Sequence, residues 1–215
     1  MAFMPRRRED GLHGMAARRT LLLTSFGAFP GAPVNPSEAV AALADRLAGR
    51  RLERIGIRLV AARLPVVFAA VGAEIARLHA RHAPIGALHL GLASSRKTMT
   101  PEARAGNRLT LRHPDASGAC SASASVQAGG ASLLSSTLSA ARLTRVLRGC
   151  GIAARPSRSA GSYVCNQALY LSLLKGVGPV GFIHLPQPCA ALTARRMAAG
   201  VAACLMEMAK LTRKL

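Results

Sequence analysis

Short apolar runs alternate with amphipathic stretches along most of this chain, in a strand–helix–strand rhythm. Arg19 to Thr24 carries Leu21-Leu22-Leu23 and closes on Ser25-Phe26-Gly27-Ala28-Phe29-Pro30-Gly31, where Gly and Pro mark a loop. Asn35-Pro36-Ser37-Glu38 reads as a helix start, with Val40, Leu43 and Leu47 continuing the helix to about Arg50. Gly56 to Leu64 predicts a second strand, punctuated by Pro65, and Val67 to about Arg81 a second helix. Pro84 to Leu90 predicts a third strand, ending in the loop Gly91-Leu92-Ala93-Ser94-Ser95-Arg96.

This rhythm predicts an α/β fold, a three-layer α/β/α sandwich with a largely parallel twisted sheet. Sites in such folds form beyond the carboxyl ends of the strands. The middle of the chain breaks the pattern. Asn107 to Arg112 alternates like a short strand or hairpin arm, and the Ser/Ala/Gly-rich tract Ala116 to Gly130 reads as a mobile loop beside the site. Helices are expected at about Ser135–Arg148 and Ala190–Lys214, with a short strand at Gly151–Ala154. Residues 19–215 are expected to form a single domain and residues 1–18 a disordered extension, with Met15 an alternative start.

Cys165 lies in Ser162-Tyr163-Val164-Cys165-Asn166, just before the apolar stretch Ala168 to Leu174 that reads as a buried helix. Unpaired N–H groups and the positive end of the dipole favour a thiolate at a helix start. Downstream, the strand Val180 to Ile183 ends in His184-Leu185-Pro186. Cys165 and His184 are therefore candidates for a nucleophile–base pair, with a structural cysteine and a satisfied core histidine as the alternative.

Composition narrows the partners. The chain has a net charge of +20, mostly from Arg spread over helix faces and loops, yet carries no recognised nucleic-acid motif. With no Trp and two Tyr, stacking on bases has few candidates. Nucleic acid and membrane are therefore not expected as partners, and no apolar run approaches the roughly 20 residues of a membrane span. Five cysteines without CxxC spacing argue against a disulfide framework and against a zinc site, and point to a reducing, cytoplasmic setting. The basic cluster Arg6-Arg7-Arg8 is followed only by Leu21-Leu22-Leu23, too short for a secretory signal.

Five blocks in order carry a resemblance. They are Thr24-Ser25-Phe26-Gly27-Ala28-Phe29 with Asn35-Pro36-Ser37; Leu64-Pro65-Val66-Val67-Phe68; Thr100 to Asn107; Arg112-His113-Pro114-Asp115; and Ser159 to Asn166 with Gly181 to Pro186. Together, from Leu21 onward, they resemble pyroglutamyl peptidase I, the cysteine peptidases that remove N-terminal pyroglutamate. The resemblance implies Cys165 as nucleophile, His184 as general base and acid, and Glu102 as the carboxylate that orients His184. Without it, Glu102 after Thr-Pro reads as a helix-start residue. The implied substrate-binding set is Phe26, Phe29, Leu92, Arg112 and Val164, the two Phe flanking the lactam and Arg112 helping to hold the oxyanion. No metal or organic cofactor is implied. The implied partners are pyroglutamyl peptides, and a homo-oligomer is compatible.

The chain also departs from that family. Leu92 stands where the family has Gln, and Ser94 and Ser95 where it has glycines. His113 replaces an Ile, Gly27 replaces an acidic residue, and the interval from Cys165 to His184 (184 − 165 = 19) is short. Two readings follow: a cysteine exopeptidase with an altered pocket wall, or a weak or inactive relative whose basic surface binds a polyanion.

Overall fold

The structure is a computed structural model and describes residues 19–29 and 31–212. The expected extension over residues 1–18 lies outside the described residues. The chain runs β1 (Arg19–Phe26), α1 (Pro36–Glu53), β2 (Ile57–Leu64), α2 (Phe68–His82), β3 (Gly86–Leu92), β4 (Thr100–Pro101), β5 (Arg104–Gly106) and β6 (Leu133–Ser135). It then continues through α3 (Ala140–Gly149), α4 (Val164–Leu174), β7 (Val180–Leu185) and α5 (Ala194–Thr212).

The main sheet has the order β2-β1-β3-β7-β4, with the first four strands parallel and β4 antiparallel to β7. Side chains alternate across a strand, so each strand feeds two cores. Leu21, Leu23, Leu88, Leu90, Ile183 and Leu185 belong to one core, shared with α1, α3 and α5. Leu22, Ala87, Val180 and Phe182 belong to the other, shared with α2 and α4. Two cores on opposite faces of one sheet make the three-layer sandwich the sequence predicts. Each fully buried Leu contributes roughly 1.5–3 kcal/mol to it.

Helix starts show local and non-local control side by side. At α1, Asn35 accepts a hydrogen bond from Ser37 N at 3.1 Å, and Pro36 sits in the first turn. At α2, the N-cap Val67 has no side chain to offer. Asp115 takes that role, accepting a bond from Phe68 N at 2.8 Å while Ser117 N and Oγ hold its other oxygen at 2.8 and 2.6 Å.

Several sequence expectations for the middle of the chain are corrected. Residues 107–112 form no strand; the strand is β5, three residues earlier, paired with β6. The helix expected from Ser135 starts at Ala140, after Ser139 caps it by accepting from Arg142 N. The strand expected at Gly151–Ala154 reduces to one isolated bridge, Met99 with Ala154. The Ala116–Gly130 tract has neither helix nor strand and is stitched by short bonds such as Ser121 Oγ to Ser123 O (2.8 Å).

Candidate active site

Four segments meet at the carboxyl edge of the sheet: the ends of β1, β3 and β7, and the start of α4. His184 is the fifth residue of β7, in register with Gly91 of β3 on one side and Thr100 of β4 on the other. It lies on the same face as Phe182, toward α4, because strand residues alternate. Glu102 follows β4, is 1% exposed, and is anchored by its N–H on Phe182 O (2.9 Å) and a bridge to Ser157. It starts no helix, so the local reading of this Glu is overturned by its pairing with the sheet.

Glu102 Oε1 accepts from His184 Nδ1 at 2.7 Å and from Arg96 Nη1 at 2.5 Å. A carboxylate on Nδ1 leaves the neutral imidazole with its hydrogen there and its acceptor, Nε2, free. Burial lowers the His184 pKa; the bond and charge of Glu102 oppose this, while Arg96 adds to it. The net direction favours a neutral imidazole, the state that can take a proton.

Cys165 is the second residue of α4, half-buried behind the N-cap Tyr163, which makes no side-chain cap bond. The first-turn N–H groups of α4 therefore lack intrahelical partners. Its sulfur sits against bare backbone: a Cβ added to Gly91 would lie 2.8 Å from Cys165 Sγ and 2.7 Å from Phe182 Cζ. The Phe182 ring lies 4.6 Å from the His184 ring, centroid to centroid. Among the described residues no hydrogen bond joins Cys165 Sγ to the imidazole. Burial, and then the charge of Glu102, pushes the thiol up to about 12, against the opposing pull of Arg96 and of its own backbone N–H. The thiolate expected from the helix dipole is thus outweighed by desolvation in the unliganded protein.

A cavity of ≈ 460 Å³ opens beside the start of α4, lined by Phe29, Thr110, His113, Pro114, Ser162 and Tyr163. Phe29 and Tyr163 face each other with ring centroids 6.1 Å apart, and Phe68 backs Tyr163 edge-on at 5.2 Å. The two expected aromatics separate. Phe29 is in the cavity wall, whereas Phe26 is 2% exposed and packs on Phe182 beneath. Ser37 fixes Phe26 by accepting from its N–H (3.1 Å) and donating to its carbonyl (3.2 Å), so the Asn-Pro-Ser turn sets the end of β1.

The other expected residues fall as follows. Val164, 1% exposed, opens α4. Leu92 ends β3 in register with Leu185, is 8% exposed and does not line the cavity. Arg112 is exposed between the cavity residues Thr110 and His113, and its N–H bonds Thr110 Oγ1. Two residues were missed. Arg96 completes the Glu102–His184 cluster, and its signal was its place at the end of the loop after β3, six residues before Glu102. Asn166, fully buried, accepts from Gly106 N (2.9 Å) and donates to Gly106 O and Arg108 O (2.8 and 3.0 Å). It locks the residue after the cysteine to β5, which adjacency to Cys165 alone did not reveal.

The sequence model of pyroglutamyl peptidase matches residues 19–211. Pyrrolidone-carboxylate peptidase of Pseudomonas fluorescens is 37% identical over 176 residues, 78% of each chain. That of Gloeobacter violaceus is 39% identical over 174 residues, 77% of this chain and 80% of its own. The crystal structure of Bacillus amyloliquefaciens pyroglutamyl peptidase I superposes with a TM-score of 0.80 at 26% identity, covering 90% of this chain and 98% of that one. The pyrrolidone carboxyl peptidase of Thermus thermophilus gives 0.75 at 35% identity, covering 86% and 98%. Matched almost end to end in sequence and in fold, this chain belongs to the pyroglutamyl peptidase family of peptide-hydrolysing enzymes.

Proposed function

We propose that the protein hydrolyses the bond after an N-terminal pyroglutamate, with Cys165 as nucleophile, His184 as base and acid, and Glu102 holding His184. The observation that carries this reading is the 2.7 Å bond from His184 Nδ1 to Glu102, made at the sheet edge where α4 presents Cys165. The resting pair is a neutral thiol and a neutral imidazole, so the proton moves as the bond forms. His184 Nε2 takes the Cys165 proton while Sγ adds to the scissile carbonyl carbon. Open N–H groups at the start of α4 receive the oxyanion, and the exposed Arg112 adds positive charge at the cavity mouth. The imidazolium, steadied by Glu102, returns the proton to the departing amine, leaving a thioester. Water, deprotonated by His184, then adds to the thioester carbonyl; the C–S bond breaks, pyroglutamate is freed, and His184 returns the proton to the departing Cys165 sulfur.

The flat, uncharged lactam suits the Phe29–Tyr163 cavity, whose two rings pack against the buried core that holds Phe26 and Val164. His113 gives that wall a polar ring. Peptides beginning with pyroglutamate are the proposed substrates. The five free cysteines support a reducing cytoplasm as the setting, and no helix among the described residues is long and apolar enough to cross a membrane. The test is release of a fluorophore from a pyroglutamyl amide. Cys165→Ala should abolish it with the fold retained, and equal turnover by parent and variant would refute the assignment.

A further inference from the structure

A second cavity, of ≈ 140 Å³, is lined by Arg104, Arg108 and Arg158 together with Ser132 and Ser159, and among the described residues no carboxylate lines it. Arg108 is held in place, donating from Nη2 to Ser159 Oγ at 2.8 Å and from Nε to Gly161 O at 3.3 Å. The side chains of Arg104 and Arg158 make no hydrogen bond or ion pair among the described residues. The carboxylates that do form ion pairs there serve Arg63, Arg77, Arg96, Arg142, His184 and Lys210 instead. Three cations around one small cavity repel one another unless an anion joins them. The planar fork of guanidinium matches the oxygens of a carboxylate or a phosphate.

This cavity adjoins the larger one. Arg108 and Ser159 lie two and three residues before Thr110 and Ser162, which line the larger cavity and are joined by a 2.7 Å bond from Thr110 N to Ser162 O. Two residues of chain span at most roughly 7 Å. Asn166, the neighbour of Cys165, ties the carbonyls of Gly106 and Arg108 to the start of α4. Pyroglutamate carries no charge, so any charge preference must act on the residues that follow it.

We infer that Arg104, Arg108 and Arg158 form an oxyanion subsite that takes a carboxylate of the departing peptide, about two or three residues beyond the scissile bond. The inference rests on the proposed peptidase reading, and the same chemistry accepts free phosphate. It is tested with the peptide amides pGlu-Ala-Xaa-Ala and pGlu-Ala-Ala-Xaa, where Xaa is Glu or Gln. The proteins compared are the parent, the Arg104→Gln/Arg158→Gln variant, and an Arg50→Gln/Arg51→Gln variant that removes equal charge from α1.

At low salt the parent is expected to prefer Glu over Gln about tenfold in kcat/KM, through KM, as two or three partly exposed ion pairs allow. The ratio should fall to about one in the Arg104/Arg158 variant and persist in the α1 variant. Phosphate should erase it in the parent where chloride of equal ionic strength does not. A parent ratio near one, or a ratio that survives the Arg104/Arg158 substitutions, overturns the subsite and leaves only the field of the whole protein. If no peptide is cleaved, including those with Gln, the peptidase reading has failed. The subsite is then read by calorimetry with inorganic phosphate: binding by the parent that the Arg104/Arg158 variant loses supports it, and no binding by the parent overturns it.

Discussion

Gly91→Ala tests the geometry of the site at its tightest point. The new methyl would lie 2.8 Å from Cys165 Sγ and 2.7 Å from Phe182 Cζ, with Phe182 Cε1 at 3.2 Å. Carbon atoms rest at about 3.5–4.0 Å, so the shortfall is roughly 0.8 Å on each side. The Phe182 ring is boxed in by Phe26, His89 and His184 at centroid distances of 6.3, 6.3 and 4.6 Å, and cannot yield freely. The sulfur must therefore move by most of an ångström or turn to another rotamer. A misplacement of about 1 Å costs on the order of 100-fold in rate, and overpacking costs roughly 1–3 kcal/mol of stability. For a chain of this size that is a fall in Tm of roughly 2–12 °C.

Initial rates on a pyroglutamyl amide should show the loss in kcat, with KM changed little because Gly91 does not line the cavity. Gly200→Ala is the control: its methyl would meet Ile152 Cδ1 at 2.5 Å and Leu147 Cδ2 at 2.7 Å in the opposite core. It should lower Tm while kcat stays within about threefold, since its strain lies away from the sulfur. A folded Gly91→Ala protein with kcat within threefold of the parent would refute the placement of Cys165. So would a Gly200→Ala protein that loses as much rate.

Glu102→Gln should lower kcat by about 100-fold or more with little effect on KM, because Gln neither enforces the Nδ1–H tautomer nor stabilises the imidazolium; near-parent kcat in steady-state assays refutes that role. In the free enzyme, inactivation by iodoacetamide at Cys165 should keep rising about tenfold per pH unit from 7 to 10, because burial places the thiol at about 12; a plateau near pH 7 would show a preformed thiolate. His89 is fully buried, with Nδ1 on Thr24 Oγ1 at 2.7 Å and Nε2 unpartnered; burial, then His79, lowers its pKa from 6.5 to about 3. The unfolded chain thus binds a proton that the folded one refuses between pH 6.5 and 3. This contribution is complete above pH 6.5 and lost as pH falls, by up to roughly 1.4 kcal/mol per unit. Urea midpoints for parent and His89→Gln should converge between pH 7 and 4, and parallel curves would exclude His89 as the cause. Asp115→Ala should cost about 1–2 kcal/mol in urea unfolding through loss of the α2 cap, and an unchanged midpoint would show that the cap is dispensable.

The sequence by itself determined the layers. Short apolar strands separated by amphipathic helices have few other ways to bury both faces of a sheet, and β1, β2, β3, β7, α1, α2 and α4 lie close to where periodicity places them. The placement of Cys165 at a helix start and His184 near the end of a strand was likewise local, written in the residues flanking each. Tertiary structure decided what depends on contacts distant in sequence. Glu102 looks like a helix-start residue until β4 pairs with β7 and lays it beside His184, 82 residues on. Met99 and Ala154 bridge where a strand was expected, and the Phe68 N–H that opens α2 is capped by Asp115 from another segment. The state of Cys165 also reversed: the helix dipole is local and visible in sequence, but desolvation by Gly91, Phe182 and their neighbours exists only once β3, β7 and α4 have packed. In the packed site burial outweighs the dipole, because removing water from a charge costs more than partial charges at one helix end return.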